Sequence, residues 1–454
     1  MKYHALIGNL RKHVSSSVLL VLATVLALLV ANSPLREQYK ELWLLPVSLR
    51  IGEFDLFAHG THSLGFGEFI NDFLMAIFFL SVGLEIKREV LCGELSSPRK
   101  ALAPFIGACG GMIVPVLVFL LVCPPDASMR QGMAVPMATD IAFSLGCLSV
   151  FSRRCPVSLK IFLAALAVAD DLGGIFVIAI RYTQEIHFRY VGLALACVAG
   201  MMLGNWRNVR LKSFYATFGI MLWYCMLNSG IHSTIAGVVT AFCIPANLPN
   251  GTKYYINVIR RSLSHFPITE VTHEDRNKPT LLTDEEILLL KRVERSSDRL
   301  ISPLQDMEDI LKIPINFYVI PLFAFANAGV DFTGMSPQNL FGGVGLAVFL
   351  GLWMGKFVGV FSFSWIFIRL GVIRLPHHAT WASFAGISML CGIGFTVSMF
   401  MASLSYPARE AVFLNDAKLG ILCGTILSAL TGLLILHFTL PSPKRMELLQ
   451  AEEG

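Results

Sequence analysis

Apolar residues run along this chain in long blocks, and most of the blocks lack the polar alternation of a surface helix. Val18–Ala31, Ala101–Cys123, Gly192–Leu203 and Leu419–Phe438 contain no Asp, Glu, Lys or Arg at all. A helix needs about 20 apolar residues to cross the hydrocarbon core. The pattern predicts twelve spans, near 15–32, 67–90, 100–123, 130–150, 157–180, 189–204, 211–226, 228–244, 313–330, 341–368, 380–404 and 415–439. The fold class expected is an all-α polytopic membrane protein, one transport domain over residues 1–454.

Two connections differ from plain links. Residues 43–66 alternate apolar and polar, as in Pro46-Val-Ser-Leu-Arg-Ile-Gly-Glu-Phe-Asp, with Gly52 able to turn, which suggests a small extracytoplasmic β-hairpin. Residues 245–312 form a charged insertion of both signs. Within it Thr283 and Glu286 make a capping box ahead of Ile287-Leu-Leu-Leu, so an amphipathic surface helix is expected to start there.

Composition agrees with the pattern. Hydrophobic residues make up 55% of the chain and charged residues 15%, against about 25% charged in soluble domains. The net charge of +5 is mild, and no basic patch interleaved with aromatics points to nucleic acid. The ten cysteines stand singly with no CxxC pair, so they indicate neither a zinc site nor a disulfide framework. No cofactor is expected. Residues 1–31 resemble a signal peptide, with Lys2, Arg11 and Lys12 ahead of an apolar run, but the many spans that follow favour an uncleaved first helix.

The Lys and Arg of the connections predict sidedness. One side collects Lys2, Arg11, Lys12, Lys87, Arg88, Arg99, Lys100, Arg153, Arg154, Lys160, Arg207, Arg210, Lys212, Lys444 and Arg445. The alternate connections hold Arg130, then Arg181 with Arg189, and neither Lys nor Arg between residues 331 and 340. The basic side is therefore expected in the cytoplasm, with both termini.

Ionisable residues deep inside spans carry the chemistry. A carboxylate at the bilayer centre costs about 2.5–3.5 kcal/mol on insertion scales, so it implies work or a partner. Asp140 follows Pro136 and Thr139 in Met133-Ala-Val-Pro-Met-Ala-Thr-Asp. Proline disturbs the preceding turn, and a carboxylate beside the freed half-helix N-terminus is stabilised by its dipole. Cys391-Gly-Ile-Gly-Phe-Thr-Val-Ser places two glycines in mid-span and breaks likewise. Interrupted segments at corresponding places in two halves indicate an ion site between inverted repeats.

Asp170 and Asp171 are adjacent in Ile161-Phe-Leu-Ala-Ala-Leu-Ala-Val-Ala-Asp-Asp-Leu-Gly-Gly. Neighbours on a helix point about 100° apart, so one can face a cavity while the other faces a helix. Two such carboxylates cannot both ionise cheaply, and their titrations are coupled. Their oxygens suit a proton or a hard cation alike, which is what exchange requires. Lys356, in Trp353-Met-Gly-Lys-Phe-Val-Gly, needs an intramembrane carboxylate as counter-ion. Structural interhelical pairing competes with function for all of these charges. For His232, in Gly230-Ile-His-Ser-Thr-Ile-Ala-Gly, packing is the stronger reading.

At these residues the sequence resembles the NhaA family of bacterial sodium–proton antiporters over nearly its whole length. The resemblance rests on Asn71-Asp-Phe-Leu-Met-Ala-Ile-Phe-Phe-Leu-Ser-Val-Gly-Leu-Glu-Ile-Lys-Arg-Glu, Ala138-Thr-Asp-Ile-Ala-Phe, Asp170-Asp171-Leu-Gly, Pro321-Leu-Phe-Ala-Phe-Ala-Asn-Ala-Gly and Gly392-Ile-Gly-Phe-Thr. It implies inverted repeats, two discontinuous helices crossing near the midplane, and electrogenic exchange of inward protons, in excess, for outward sodium or lithium. It implies a bacterial inner-membrane location and a role in sodium and pH homeostasis. Asp171 resembles the family's central ion ligand and Asp170 its partner. Asp140 matches the charge compensating the helix breaks, with Thr139 near the site. Lys356 matches the lysine paired with the first aspartate. Glu85, Arg88 and Glu89 resemble charges linked to pH response, and His232 a histidine affecting it. The 43–66 segment would form the contact of a homodimer, within membrane lipid. Before residue 313 this chain departs from the pattern, with Glu308, Asp309 and Lys312 where many members carry histidines, so its pH-responsive set is altered.

Rival readings are a sodium-coupled symporter, an intramembrane aspartyl protease and a channel. The protease motifs Tyr-Asp and Gly-x-Gly-Asp are missing from the sequence. Sodium-driven uptake of an organic substrate would identify the symporter, and currents above carrier turnover the channel.

Overall fold

Hydrocarbon offers the backbone no hydrogen-bond partner, so apolar runs must close their bonds internally as helices. The computed structural model of the chain describes residues 16–48, 65–152, 154–181, 186–247, 251–266, 282–332, 343–406 and 410–441, and eight residues between 50 and 63. Lys2, Arg11, Lys12, Arg153, Lys444 and Arg445, which enter the sidedness expectation, lie outside the described residues, as do residues 333–340 of the outer connection.

The apolar blocks fold as α1 Ser16–Ala31, α2 Arg36–Leu44, α3 Phe66–Cys92, α4 Pro98–Val122, α5 Ile141–Ser149, α6 Val157–Arg181, α7 Phe188–Trp206, α8 Lys212–Leu227 and α9 Ile235–Cys243. The insertion contributes α10 Gly251–Ser264 and α11 Asp284–Leu300. The second half continues with α12 Pro303–Pro314, α13 Ile320–Asn327, α14 Gly343–Leu350, α15 Lys356–Arg369, α16 Trp381–Leu390, α17 Phe395–Ser405 and α18 Ala411–Thr439. A 3-10 segment, Met129–Met137, precedes α5. Five-residue π-helical turns join α12 to α13 (Ile315–Val319) and α14 to α15 (Gly351–Gly355).

Among the described residues, seven helices are long and apolar enough to cross a membrane, and up to ten spans result if each of three bent helix pairs counts as one. The chain is thus a polytopic membrane protein. The expected span at 228–244 forms only the nine-residue α9, because Gly230 turns the chain at φ 84° just before it. The first span ends in a bend of 111° into α2, which is anchored by Lys40 Nζ on Asp331 Oδ2 at 2.9 Å and by the Tyr39 hydroxyl donating to Phe325 O at 2.5 Å.

Within 43–66 the described backbone holds two antiparallel pairings. Arg50–Ile51 pairs with Phe54–Asp55, and Ala58–His59 with His62–Ser63. Strands of two residues are shorter than a free-standing hairpin uses. In the insertion, α11 starts at the capping box: Thr283 N donates to Glu286 Oε2 at 2.7 Å and Glu286 N to Thr283 Oγ1 at 3.4 Å. Arg210, just before α8, donates to the carbonyls of Arg299 and Ile301 at 3.1 and 2.7 Å, tying the end of α11 to the start of the α8 segment.

Candidate functional site

The 3-10 segment ends at Met137, one residue after Pro136, the backbone runs extended at Ala138 and Asp140, and α5 begins at Ile141. The second interruption is Cys391–Gly394, between α16 and α17. The two pairs bend by 44° and 43°. Their breaks lie against each other. Asp140 N donates to Ile393 O at 2.7 Å, Thr139 Oγ1 to Cys391 O at 2.9 Å, and Ser398 Oγ to Val135 O at 2.8 Å. A Cβ on Gly394 would stand 2.8 Å from Ala138 O, so glycine permits this approach.

One carboxylate serves both half-helix N-termini. Asp140 Oδ1 accepts from Phe143 N of α5 at 2.9 Å. Its Oδ2 accepts from Thr396 N at 3.1 Å and Thr396 Oγ1 at 2.6 Å, in the first turn of α17. Two positive helix ends converge there, where a single negative charge is stabilised by both dipoles and by charge-assisted bonds.

Asp170 and Asp171 lie on the buried stretch of α6, 2% and 3% exposed. The Lys356 ammonium, fully buried, donates to Asp170 Oδ2 in an ion pair. Thr139 borders Asp170. The other oxygen of Asp170 and both oxygens of Asp171 have no hydrogen-bond partner among the described residues. A buried carboxylate without partners is costly and calls for an explanation in function. Asp171 sees the charges of Asp170, Glu85, Asp140 and Lys356. Its two oxygens can take up a proton or coordinate a hard cation.

A second cluster lies near the end of α3. Arg88 Nη1 meets Glu308 Oε1 at 2.5 Å and Arg88 Nη2 meets Glu89 Oε1 at 3.3 Å. Lys312 bridges to Glu308 at 3.2 Å and to Asp309 at 3.0 Å. Glu85 sits within the field of Arg88, Glu308, Glu89 and Lys312. Of the residues expected in the pH response, Arg88, Glu89 and Glu308 are therefore joined by ion pairs, and Glu85 lies within their field. His232 contributes to neither set of contacts: its ring stands 5.7 Å from that of Phe400, and its Nδ1 faces Thr234 Oγ1 at 3.3 Å.

The resemblance implied that Asp170, Asp171, Lys356, Asp140 and Thr139 share one site, and the fold puts Lys356 on Asp170, Thr139 beside it and Asp140 at the crossing of the breaks. Sequence reasoning missed Thr396 as the donor that binds Asp140. The available signal was position: two residues after Gly394, a threonine sits in the first turn of a new half-helix. It also missed the reciprocal amide pair of Asn71 on α3 and Asn327 at the end of α13, at 2.6 and 3.2 Å.

Comparison with known proteins gives concordant results. Residues 8–436 match the family model described as Na+/H+ antiporter 1. A protein of Bacteroides thetaiotaomicron named Na(+)/H(+) antiporter NhaA is 49% identical over 433 residues, 95% of this chain and 97% of its own. Its namesake in Phocaeicola vulgatus is 46% identical over 439 residues, 96% of each chain. The Yersinia enterocolitica protein of the same name is 38% identical over 437 residues, 96% of this chain and 97% of its own.

Proposed function

Since the chain belongs to the Na+/H+ antiporter 1 family, we propose that it expels cytoplasmic sodium or lithium in exchange for a larger number of external protons. It is a multi-pass transporter of the bacterial plasma membrane and not an enzyme. The observation that carries the reading is Asp171: a buried carboxylate with two unpartnered oxygens, one residue from an aspartate already neutralised by a lysine.

A proton on Asp171 removes its charge. A sodium ion uses both its oxygens and the free oxygen of Asp170, and competes with Lys356 for that aspartate. The two cargoes exclude each other because they need the same lone pairs. Alternating access carries the site from one side to the other, with the breaks at 138–140 and 391–394 as the place where the halves meet. Asp140 compensates the helix ends during that movement, and Thr139 lies beside the cation. Exchange with protons in excess moves net charge and makes the cycle electrogenic, serving sodium and pH homeostasis.

The reading extends to twelve crossings built as inverted repeats in one transport domain, with 245–312 as a cytoplasmic insertion. It also includes a homodimer joined through 43–66 and a pH response set by Glu85, Arg88, Glu89 and Glu308 with His232. Proton flux in everted vesicles tests the core claim. Sodium or lithium added outside is expected to collapse an acid interior, read by an internal pH dye, across part of the pH range. No response at any pH from correctly inserted protein overturns the reading and makes sodium-driven uptake of organic substrates the next assay.

Sidedness has its own test. Cys92, exposed at the end of α3, is placed in the cytoplasm. A membrane-impermeant maleimide is expected to label it in everted vesicles and to leave it unlabelled in right-side-out ones, with Cys92→Ser as the blank. The opposite pattern inverts the topology.

A further inference from the structure

Lys356 follows directly on the π-helical turn Gly351–Gly355, and its backbone N–H closes that turn on Gly351 O, five residues back. Single π-turns inside α-helices are rare and concentrate at functional sites. This one coincides with a ridge of three glycines, Gly351, Gly355 and Gly359, along one side of the α14–α15 span. Residues four apart on an α-helix drift by about 40°. The wider π-turn rotates less per residue and offsets that drift, so all three glycines have α4 within reach, Gly351 lying between Pro136 and the Pro115 carbonyl.

Those neighbours leave no room. A Cβ on Gly355 would stand 2.8 Å from Pro115 Cα and 3.3 Å from Pro115 N, both backbone atoms of α4. A Cβ on Gly351 would meet ring carbons of Pro136 at 2.8 and 3.0 Å. Gly359 lies against the carbonyl of Gly110, and Gly110 against that of Gly359. The lysine stem runs beside α4, where a Cβ on Gly111 would stand 3.6 Å from Nζ. An extra residue in one turn rotates everything after it by about 100°. Lys356 is the next residue after Gly355, so the rotation at which Gly355 seats on Pro115 also sets the direction of the lysine, and the π-turn lets Gly351 keep its place beside Pro136 at that rotation.

We propose that the π-turn and the glycine ridge, seated on Pro115 at Gly355, are a positioning device that holds the Lys356 ammonium on Asp170, with Gly355 as the positioning residue. The inference rests on the antiport reading for its consequence, but its geometry stands apart from it. The titratable groups facing the pair are Asp171 on the same helix as Asp170, Cys109 on α4 and Cys391 at the second break, while Asp140 and Glu85 on α3 act on Asp171 beside it.

The experiment compares wild type, Gly355→Ala, Lys356→Gln and the double variant as purified, reconstituted protein. It reads sodium-triggered proton release against pH. Gly355→Ala is expected to move the midpoint by about one pH unit, the size of effect a close charge exerts. The shift should have the same direction as that of Lys356→Gln, and the double variant should move no further than Lys356→Gln alone. A wild-type midpoint in Gly355→Ala, or shifts that simply add, overturns the proposal, because a general packing defect does not act through the lysine. If the wild type releases no proton on sodium addition, the antiport reading fails, and a structure of Gly355→Ala decides the positioning claim. An ammonium out of hydrogen-bond reach of Asp170 supports it, and one still seated overturns it. Should Gly355→Ala fail to insert, Gly351→Ala, whose Cβ presses mainly on the Pro136 ring, takes its place in both measurements.

Discussion

Asp171→Asn is expected to abolish sodium-dependent proton movement while leaving the protein at least as stable to heat as wild type. The two halves of that result have one cause. Both oxygens of Asp171 lack hydrogen-bond partners and the side chain is buried, so the native fold gains nothing from its charge. An amide of the same shape removes a desolvated carboxylate and breaks no contact. Transport loses its ligand charge instead. Deleting one partner of a buried charge interaction costs on the order of 2–5 kcal/mol, and about 1.4 kcal/mol is tenfold in binding. Exchange should therefore fall by about 30-fold to several thousand-fold. The checks are dye-reported flux in everted vesicles and thermal unfolding of the purified variant. Asp171→Glu, which keeps a carboxylate, should retain part of the activity. Normal exchange by Asp171→Asn would remove this residue from the site, and a large loss of thermal stability would make it structural.

Asp140→Ala should show the reverse balance, with fold and transport failing together. The substitution strands the N–H groups of Phe143 and Thr396 and the Thr396 hydroxyl, all at or near buried helix starts. Each buried donor left unsatisfied costs about 1–3 kcal/mol. The two half-helix dipoles also lose their shared counter-charge, which adds roughly 1 kcal/mol. The unfolding temperature is expected to drop by several degrees and exchange to become undetectable. Asp140→Asn, which keeps one acceptor oxygen for one helix start and turns an amide NH2 toward the donors of the other, should recover part of the stability and little of the transport. An alanine variant with wild-type melting would mean that the crossing is held by the direct backbone bonds alone, such as Asp140 N to Ile393 O.

Asp140 and Asp171 were both legible in the sequence, and for the same reason. A charge in the middle of an apolar run is expensive wherever the run packs, so its presence alone marks it. The proline at 136 and the glycines at 392 and 394 were legible as breaks because they act on their own backbone. The different jobs of the two aspartates came from the family resemblance and were not visible in the residues alone. One is saturated with donors and the other has none, and that depends on which helix faces which.

What the sequence by itself determined is therefore the class of protein, most of its spans, the two interruptions and the identity of the buried charges. These are local properties, set by how each stretch partitions between water and hydrocarbon. Tertiary structure alone decided the rest. The breaks at 138–140 and 391–394 share hydrogen bonds across more than 250 residues of chain. Lys356 takes one oxygen of Asp170, the pairing the resemblance implied, and only the packing shows that both oxygens of Asp171 are left unpartnered. Thr396 is recruited to Asp140, and a π-turn sets the rotation of the lysine. Each of these depends on the relative rotation and depth of packed helices. A rotation of about 100° exchanges one residue's surroundings for its neighbour's, and apolar periodicity in a fully hydrophobic span holds too little contrast to specify it.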